Sequence, residues 1–299
     1  MTAVGASTNA GRALEIAIAA QLACLLEVGA PKPGNVSPAH DFADLRYEDF
    51  LASAIAFGTA LGGAATRSIG ETVRLAIEAS AQHTRSNTNL GIVLLISPLT
   101  RAALAAEPSG PIPPDTLRHA LRRVLAATTV DDARDVYAAI RRAAPGGLGR
   151  ADQQDVADEP TMTLLEVMRL AADRDGVARE YATAFEATFE KGAPTLARAR
   201  RDGLPWNDAI VETFLAILAA APDTHIVRRG GTALATDVSR RAGKVLAAGG
   251  VRSESGRIAL RDMHRALQDP SHLTNPGTSA DITAAAIFVV LLSSDRLKT

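Results

Sequence analysis

Four polar segments carry the residues of this 299-residue chain that could do chemistry. The first runs from Glu27 to Val36, followed by His40, Asp41 and Asp44. Pro31 and Pro33 fix the backbone around Lys32, and Gly34 permits a turn that presents the lysine next to Asn35. A rigid loop holding a lysine near carboxylates suits a polyphosphate; an ordinary turn with a solvated lysine is the alternative. The second segment is Ser86–Gly91, with Asn87, Thr88 and Asn89 ahead of a long apolar stretch. Free N–H groups at a helix start bind anions, and capping alone needs one such residue, not four in a row. In the third, Gln153–Thr161, the spacing of Asp155, Asp158 and Glu159 lets one turn gather three carboxylates, a set suited to Mg²⁺ shared with substrate phosphates. A solvated acidic loop that caps the next helix is the other reading. The fourth is bipartite. Asp223 or Thr224 can cap a helix carrying Arg228 and Arg229, while Asn275 precedes Ser279, read as the cap of the last helix, and Asp281, read as lying in its first turn, where the helix dipole favours a carboxylate.

The elements that must position these segments are helices. Alanine makes up about one residue in five and aromatics only 4%, so the best helix former is abundant and strand-favouring residues are scarce. Apolar residues recur at helical spacing over Leu14–Val28, Tyr47–Leu61, Ser68–Gln82, Asn89–Ala106, Asp131–Ala144, Thr161–Ala172, Asp175–Arg201, Asn207–Ala220, Ile226–Ala248, Ser255–Gln268 and Ser279–Ser293. A loop over Pro108–Pro114 leads to a further helix with Asp115 as its cap. The expected fold is all-α, a single compact domain of about a dozen helices over residues 13–299, with a flexible N-terminus over 1–12.

Composition excludes several functional classes. Formal net charge is −1, without the basic excess that nucleic acid or an anionic membrane surface requires. One cysteine, Cys24, rules out a disulfide framework or a Cys-rich zinc site. The apolar runs Leu90–Leu99 and Ile282–Leu292 fall short of the roughly 18 residues of a membrane span, and the first residues have no signal-peptide pattern, so a cytoplasmic protein is expected. No HExxH, GxSxG, P-loop or Rossmann glycine pattern occurs. With so few aromatics, recognition of a base between rings is disfavoured and the polar loops must carry binding.

Taken in order, the segments resemble a known family. A helix ending in Glu-Val precedes Pro-Lys-Pro-Gly; Asn-Thr-x-x-Gly, Asp-Thr-x-Ile-x-x-Arg-Gly-Gly and Asn-Pro-Gly-x-Ser-Ala-Asp follow. The series is similar to the triphosphoribosyl-dephospho-CoA synthase family, which makes the prosthetic-group precursor of citrate lyase and malonate decarboxylase. The resemblance spans roughly Glu15 to Leu292. It implies an all-α enzyme with ATP as substrate and 3′-dephospho-CoA as acceptor: the acceptor's ribose 2′-hydroxyl attacks C1′ of the ATP ribose and adenine leaves. Such chemistry, akin to glycoside cleavage, needs a base, a carboxylate near the cationic sugar and counter-charge for the triphosphate. On this reading Glu27, Asp223 and Asp281 are the catalytic carboxylates. Lys32, Asn35, Asn87, Thr88, Asn89, Arg228, Arg229, Asn275 and Ser279 hold substrate and phosphate, and Asp155, Asp158 and Glu159 hold Mg²⁺.

The resemblance also has departures. Citrate-lyase members carry Asn-Thr-His-Lys-Gly where this chain has Asn87-Thr-Asn-Leu-Gly91, and His225 replaces a usual Asn. An apolar Leu90 cannot do the work of a phosphate-facing lysine. The Asn-Thr-Asn-Leu-Gly form resembles a divergent branch associated with methanogens and methylotrophs, which points to a different acceptor in tetrahydromethanopterin or methanofuran biosynthesis. A hydrolase of N-glycosidic bonds and a non-catalytic helical binding protein are the remaining readings. A homo-oligomer is compatible with all of them.

Overall fold

The structure, a computed structural model, describes residues 3–84, 86–106, 110–269 and 271–294. Among these residues there are fourteen α-helices and no strand, in agreement with the all-α expectation. They are α1 (Ala3–Gly29), α2 (Tyr47–Leu61), α3 (Ile69–Ser80), α4 (Leu90–Ala105), α5 (Pro114–Ala126), α6 (Val130–Ala143), α7 (Leu164–Ala171), α8 (Gly176–Thr183), α9 (Ala193–Arg201), α10 (Trp206–Ala220), α11 (Thr224–Gly230), α12 (Thr232–Ala247), α13 (Glu254–Ala266) and α14 (Gly277–Ser293).

The core is organised around α14, which is apolar on every side and therefore has to lie inside the molecule. It packs against α1, α4, α9 and α10. Small residues set the spacing. Ala284, Ala285 and Ala286 have no exposed surface, nor do Ala20 and Ala23 of α1. A side chain at Gly192 would come within 2.7 Å of the Ala286 methyl. Of the residues from Thr278 to Leu292, Asp281 alone is not fully buried. The outer helices are joined by their caps: Asp132 closes a capping box with Thr129 at the start of α6 and also accepts the Gly70 N–H of α3 at 2.7 Å.

Several boundaries differ from the sequence reading. Helix α1 starts at Ala3, well before Leu14, and so takes in most of the 1–12 segment; Met1 and Thr2 lie outside the described residues. Asp115 is not a cap: Pro114 opens α5 because its missing N–H is harmless there, and Asp115 lies in the first turn. Of the predicted loop before it, Pro108 and Ser109 lie outside the described residues. The stretch Asp175–Arg201 is not one helix. Ala184 and Phe185 take positive φ, and a π-helical turn over Ala187–Gly192 follows. Buried Glu180 holds that turn by accepting the Ala187 and Thr188 N–H groups at 2.9 Å and the Thr188 hydroxyl at 2.5 Å. Ile226–Ala248 breaks into α11 and α12 at Gly231, whose φ of 88° is accessible to glycine. No single described helix is long and apolar enough to cross a membrane.

Phe288 has no exposed surface at the middle of α14. Phe288→Ala is expected to destabilise the chain by about 3–5 kcal/mol, read as a lowered urea midpoint at unchanged slope.

Candidate active site

A cavity of about 1130 Å³ opens where the C-terminal end of α1 meets the starts of α4, α11 and α14, closed on the far side by residues 142–154 and by α7 and α8. Glu27, Asn35, Asn87, Thr88, Asn89, Arg228, Arg229, Asn275 and Asp281 all line it. These residues come from three of the four segments, so the fold brings to one place what the sequence spreads over more than 250 positions.

Lys32 does not line this cavity. It is fully buried, and its ammonium donates to the carbonyls of Glu27 and Ala30 while pairing with Glu27 Oε1 at 2.9 Å. Its three protons thus have three protein acceptors, and the phosphate role read from the loop is corrected to that of a buried counter-ion for Glu27. The same turn docks the two ends of the chain together. Gly34, at φ 77°, lies where a Cβ would meet Pro276 at 3.1 Å and the Thr274 carbonyl at 3.2 Å. Asn35 Nδ2 donates to Asn275 Oδ1 at 2.6 Å.

Asp281 is the second carboxylate of the cavity. It sits one turn inside α14, whose first turn holds no acidic residue, so the dipole explanation offered by the sequence does not apply. It has no hydrogen-bond or ion-pair partner among the described residues. Burial, then the charges of Glu27, Asp223 and Asp175, push its carboxyl well above the usual carboxylate range, with Arg228 pulling the other way. Gly91 makes room for it: a Cβ there would overlap the Asp281 carboxylate.

Asp223 and Ser279 sit behind the cavity wall. Asp223 caps α11 through the N–H groups of His225 and Ile226, as the sequence suggested, and also accepts the Ser279 N–H at 2.7 Å and its hydroxyl at 2.8 Å. With its oxygens so occupied, Asp223 ties the starts of α11 and α14 together and is not a free catalytic carboxylate. Ser279 is not the cap of α14 either; that helix opens at Gly277, and Ser279 spends its donors on Asp223.

The Ser86–Asn89 run divides its work. Ser86 donates to the Asp44 carbonyl at 3.1 Å, Asn87 accepts the Leu90 N–H at 3.0 Å, Thr88 meets Ser53, and Asn89 donates to Ser80 at 3.1 Å. Only Asn87 caps α4; the others hold the entry to that helix in place along the cavity wall.

In the acidic loop the three carboxylates are engaged separately. Asp155 is buried and accepts the N–H groups of Ala151 and Ala157 at 2.6 and 2.9 Å, which, ahead of its distant arginines, holds its carboxyl below the usual range. Asp158 turns to Arg150 at 3.7 Å and Glu159 to Arg134 at 3.1 Å. Among the described residues no group of three His, Cys, Asp or Glu side chains is arranged to hold a metal ion. Each of the three carboxylates has a partner of its own.

Cationic groups supply the opposite charge. Arg228 lies 3.8 Å from Asp175, and Arg229 donates to the Ser271 and His272 carbonyls at 3.1 and 3.4 Å. Arg142 and Arg174 also line the cavity, as do Phe42 and Phe50; none of these four stood out in the sequence, because each sits in an otherwise ordinary helix or loop stretch. His225 lines it too, its imidazole pushed down to about 4 by burial and by Arg228 and Arg229.

Comparison with known proteins gives this cavity a context. The family described as ATP:dephospho-CoA triphosphoribosyl transferase (CitG) matches residues 13–299. The chain belongs to this family. Curated relatives include a "Probable 2-(5''-triphosphoribosyl)-3'-dephosphocoenzyme-A synthase" of Stutzerimonas stutzeri, 34% identical over 49% of this chain and 50% of the relative. One of the same name from Azotobacter vinelandii is 33% identical over 41% of this chain and 40% of the relative. The chain thus spans about half or less of the curated relatives it matches. The crystal structure of a "putative triphosphoribosyl-dephospho-coA synthase" from Archaeoglobus fulgidus superposes with a TM-score of 0.62 at 29% identity, covering 82% of this chain and all of that one. The fold of the CitG family is therefore the fold described above.

Two stability measurements follow from the buried charges. Lys32→Ala strands Glu27 without its partner and is expected to cost about 3–5 kcal/mol in urea denaturation. For Asp281 the folded chain keeps a proton that the unfolded chain has released, so stability falls as pH rises from the unfolded value near 3.8 through the raised folded value. Asp281→Asn, which cannot ionise, is expected to be more stable than the parent at neutral pH and to lose less melting temperature between about pH 5 and 8.

Proposed function

We propose that the chain transfers the triphosphoribosyl group of ATP to the 2′-hydroxyl of 3′-dephospho-CoA and releases adenine, in a cytoplasmic setting where both substrates occur. The observation that carries this reading is the pair of unlike carboxyl groups in one cavity: Glu27 ion-paired with Lys32, and Asp281 desolvated and without a partner. Asp281, its carboxyl pushed up by burial, is suited to give a proton, and Glu27 stands in the same cavity as the second carboxyl group. Membership of the CitG family supports the same choice.

In this mechanism the bond from C1′ to the adenine nitrogen breaks and one from C1′ to the acceptor oxygen forms. Asp281, protonated by its surroundings, gives its proton to the departing adenine. Glu27 takes the proton of the attacking hydroxyl and offers negative charge to the oxocarbenium-like sugar between them. Arg228, Arg229 and the N–H groups opening α4 and α14 meet the triphosphate, where helix starts favour anions. Asp223 and Lys32 act from behind, the first fixing α14 and the second holding the charge of Glu27. Mg²⁺ is expected to travel with the triphosphate, since the residues present offer it no three-ligand cage. Leu90 on the cavity wall favours a second reading of the acceptor alone, a related hydroxyl-bearing cofactor precursor with less charge to meet at that position.

Incubation with ATP, Mg²⁺ and dephospho-CoA is expected to release adenine, seen by chromatography, with a matching gain in acceptor mass. Glu27→Gln and Asp281→Asn are each expected to slow this by about 10²- to 10⁴-fold, with little change in the KM for ATP. Ribose triphosphate formed with water alone would indicate a hydrolase, and no adenine with any hydroxyl acceptor would overturn transferase chemistry.

A further inference from the structure

Helices α1 and α2 pack against each other, and their outer side is apolar where that of a solvated helix pair would be charged. Leu14 is 61% exposed and Ile18, one turn on, 45%; on α2, Ile55 is 61% exposed. The three share one face. Gln21 continues the Leu14–Ile18 stripe at helical spacing, and its amide donates to the Ile55 carbonyl at 3.0 Å, so the polar group on the stripe is spent on the neighbouring helix. A side chain at Gly58 would overlap that of Gln21, which shows how closely the helices meet. No charged residue occurs between Glu15 and Glu27 on α1, nor between Asp49 and Arg67 through α2 and the turn after it. The outward side of a surface helix ordinarily carries charge, as α6 does with Asp131, Arg134, Arg141 and Arg142 all exposed.

Charge returns only at the two ends of this face, and with opposite sign. Arg12, Arg67 and Arg101 gather where α1 leaves its first turns and α2 ends, donating to the carbonyls of Ala103, Ala60 and Ala64; Glu15 and Glu71 offset two of the three. Glu48 and Asp49 stand at the opposite end, in the first turn of α2, with Arg46 offsetting one. An apolar centre with charge kept to the rim is the layout of a protein–protein interface. A face positive at one end and negative at the other complements itself when rotated by half a turn. We propose that it pairs with the same face of a second copy of this chain, each α1–α2 layer antiparallel to the other across a two-fold axis.

The size of the face suits this occupant. Two helices side by side are about 20 Å wide and the uncharged stretch is about 25 Å long, which gives roughly 500 Å² on each copy and about 1,000 Å² for the pair, enough for a specific interface. A lipid surface is less well matched, because it would call for a basic excess around the apolar centre, and the Glu48–Asp49 end has the wrong sign. Leu14, Ile18 and Ile55 do not line the cavity, so pairing leaves both sites open and does not depend on the transferase reading.

Sedimentation equilibrium of the full chain is expected to give twice the chain mass of 31.2 kDa. Ile18→Asp and Ile55→Asp each set a charge against the partner copy and are expected to weaken pairing by about tenfold or more. Both positions are exposed in the single chain, so the far-UV circular dichroism of each variant is expected to match the parent's. Ile258→Asp, at a side chain of α13 that is 47% exposed, is expected to stay dimeric. The arrangement is tested by reversing rim charges. Arg67→Glu and Glu48→Lys are each expected to weaken pairing by about twofold to fivefold, and their equal mixture to pair as the parent does, since reversed ends meet only in the mixed dimer. A parent that remains at the mass of one chain up to its highest soluble concentration would overturn the proposal. So would a dimer that survives both Ile18→Asp and Ile55→Asp, or one that Ile258→Asp breaks as readily. A mixture that fails to recover would overturn the antiparallel arrangement. Co-sedimentation of a monomeric parent with phosphatidylglycerol vesicles, lost in Ile55→Asp, would assign the face to lipid instead.

Discussion

Lys32 carries a full charge into a place with no exposed surface, and the site depends on how that charge is met. Three protons find three acceptors, two carbonyls at the end of α1 and the carboxylate of Glu27. Desolvating an ammonium is costly unless every proton is used, so the Pro31–Gly34 turn has little freedom to stand elsewhere. That turn in turn receives Pro276 and Thr274 from the far end of the chain and brings Asn35 to Asn275. One buried ion pair therefore fixes a carboxylate at the cavity and the approach to α14.

A second constraint is the meeting of helix starts. The first turns of α4, α11 and α14 leave N–H groups without helical partners, and each solves the problem differently. Asn87 serves α4, and Asp223 serves α11 while reaching across to Ser279 of α14. Asp281 lies beyond the reach of such donors, one turn deeper, against the bare backbone of Gly91. A carboxyl held where no donor meets it is costly in a ground state and useful when a proton must be given away. The absence of a Cβ at Gly91 is what allows that position, which gives the last residue of the Asn-Thr-Asn-Leu-Gly sequence a steric reason.

Much of this was legible in the residues, in uneven ways. The helical class followed from alanine and periodicity, and the segments lining the cavity followed from polar residues too dense for connectors. Individual roles were less legible. Lys32 reads as presented by its turn, and Asp223 as a helix cap and a catalytic carboxylate; nothing local announces that Glu27 will enclose the first or that Ser279, 56 positions from Asp223, will occupy the second. Asp155, Asp158 and Glu159 have a spacing that permits a shared cation, but spacing carries no information about Ala151, Arg134 or Arg150 competing for the same oxygens. The breaks at Ala184 and Gly231 were hidden for a related reason: helical periodicity continues across them, and the contacts that interrupt it, such as those of Glu180, are tertiary.

The alanine-rich scaffold and the chemistry of the cavity are linked by geometry. Small side chains let α1, α4 and α10 crowd onto α14, and helices packed that closely finish and begin near one another. Crowded ends concentrate unpaired backbone dipoles and the polar residues that answer them, so a chain with formal charge −1 develops a cavity with strong local fields. Three of the few aromatics line the cavity: Phe42 in the loop that the Lys32 turn begins, packed against His272 at 3.9 Å between ring centres, Phe50 in the first turn of α2, and Tyr137 within α6. A substitution that loosened the Lys32–Glu27 pair would therefore disturb the Glu27 carboxylate and the loop that carries Phe42 together.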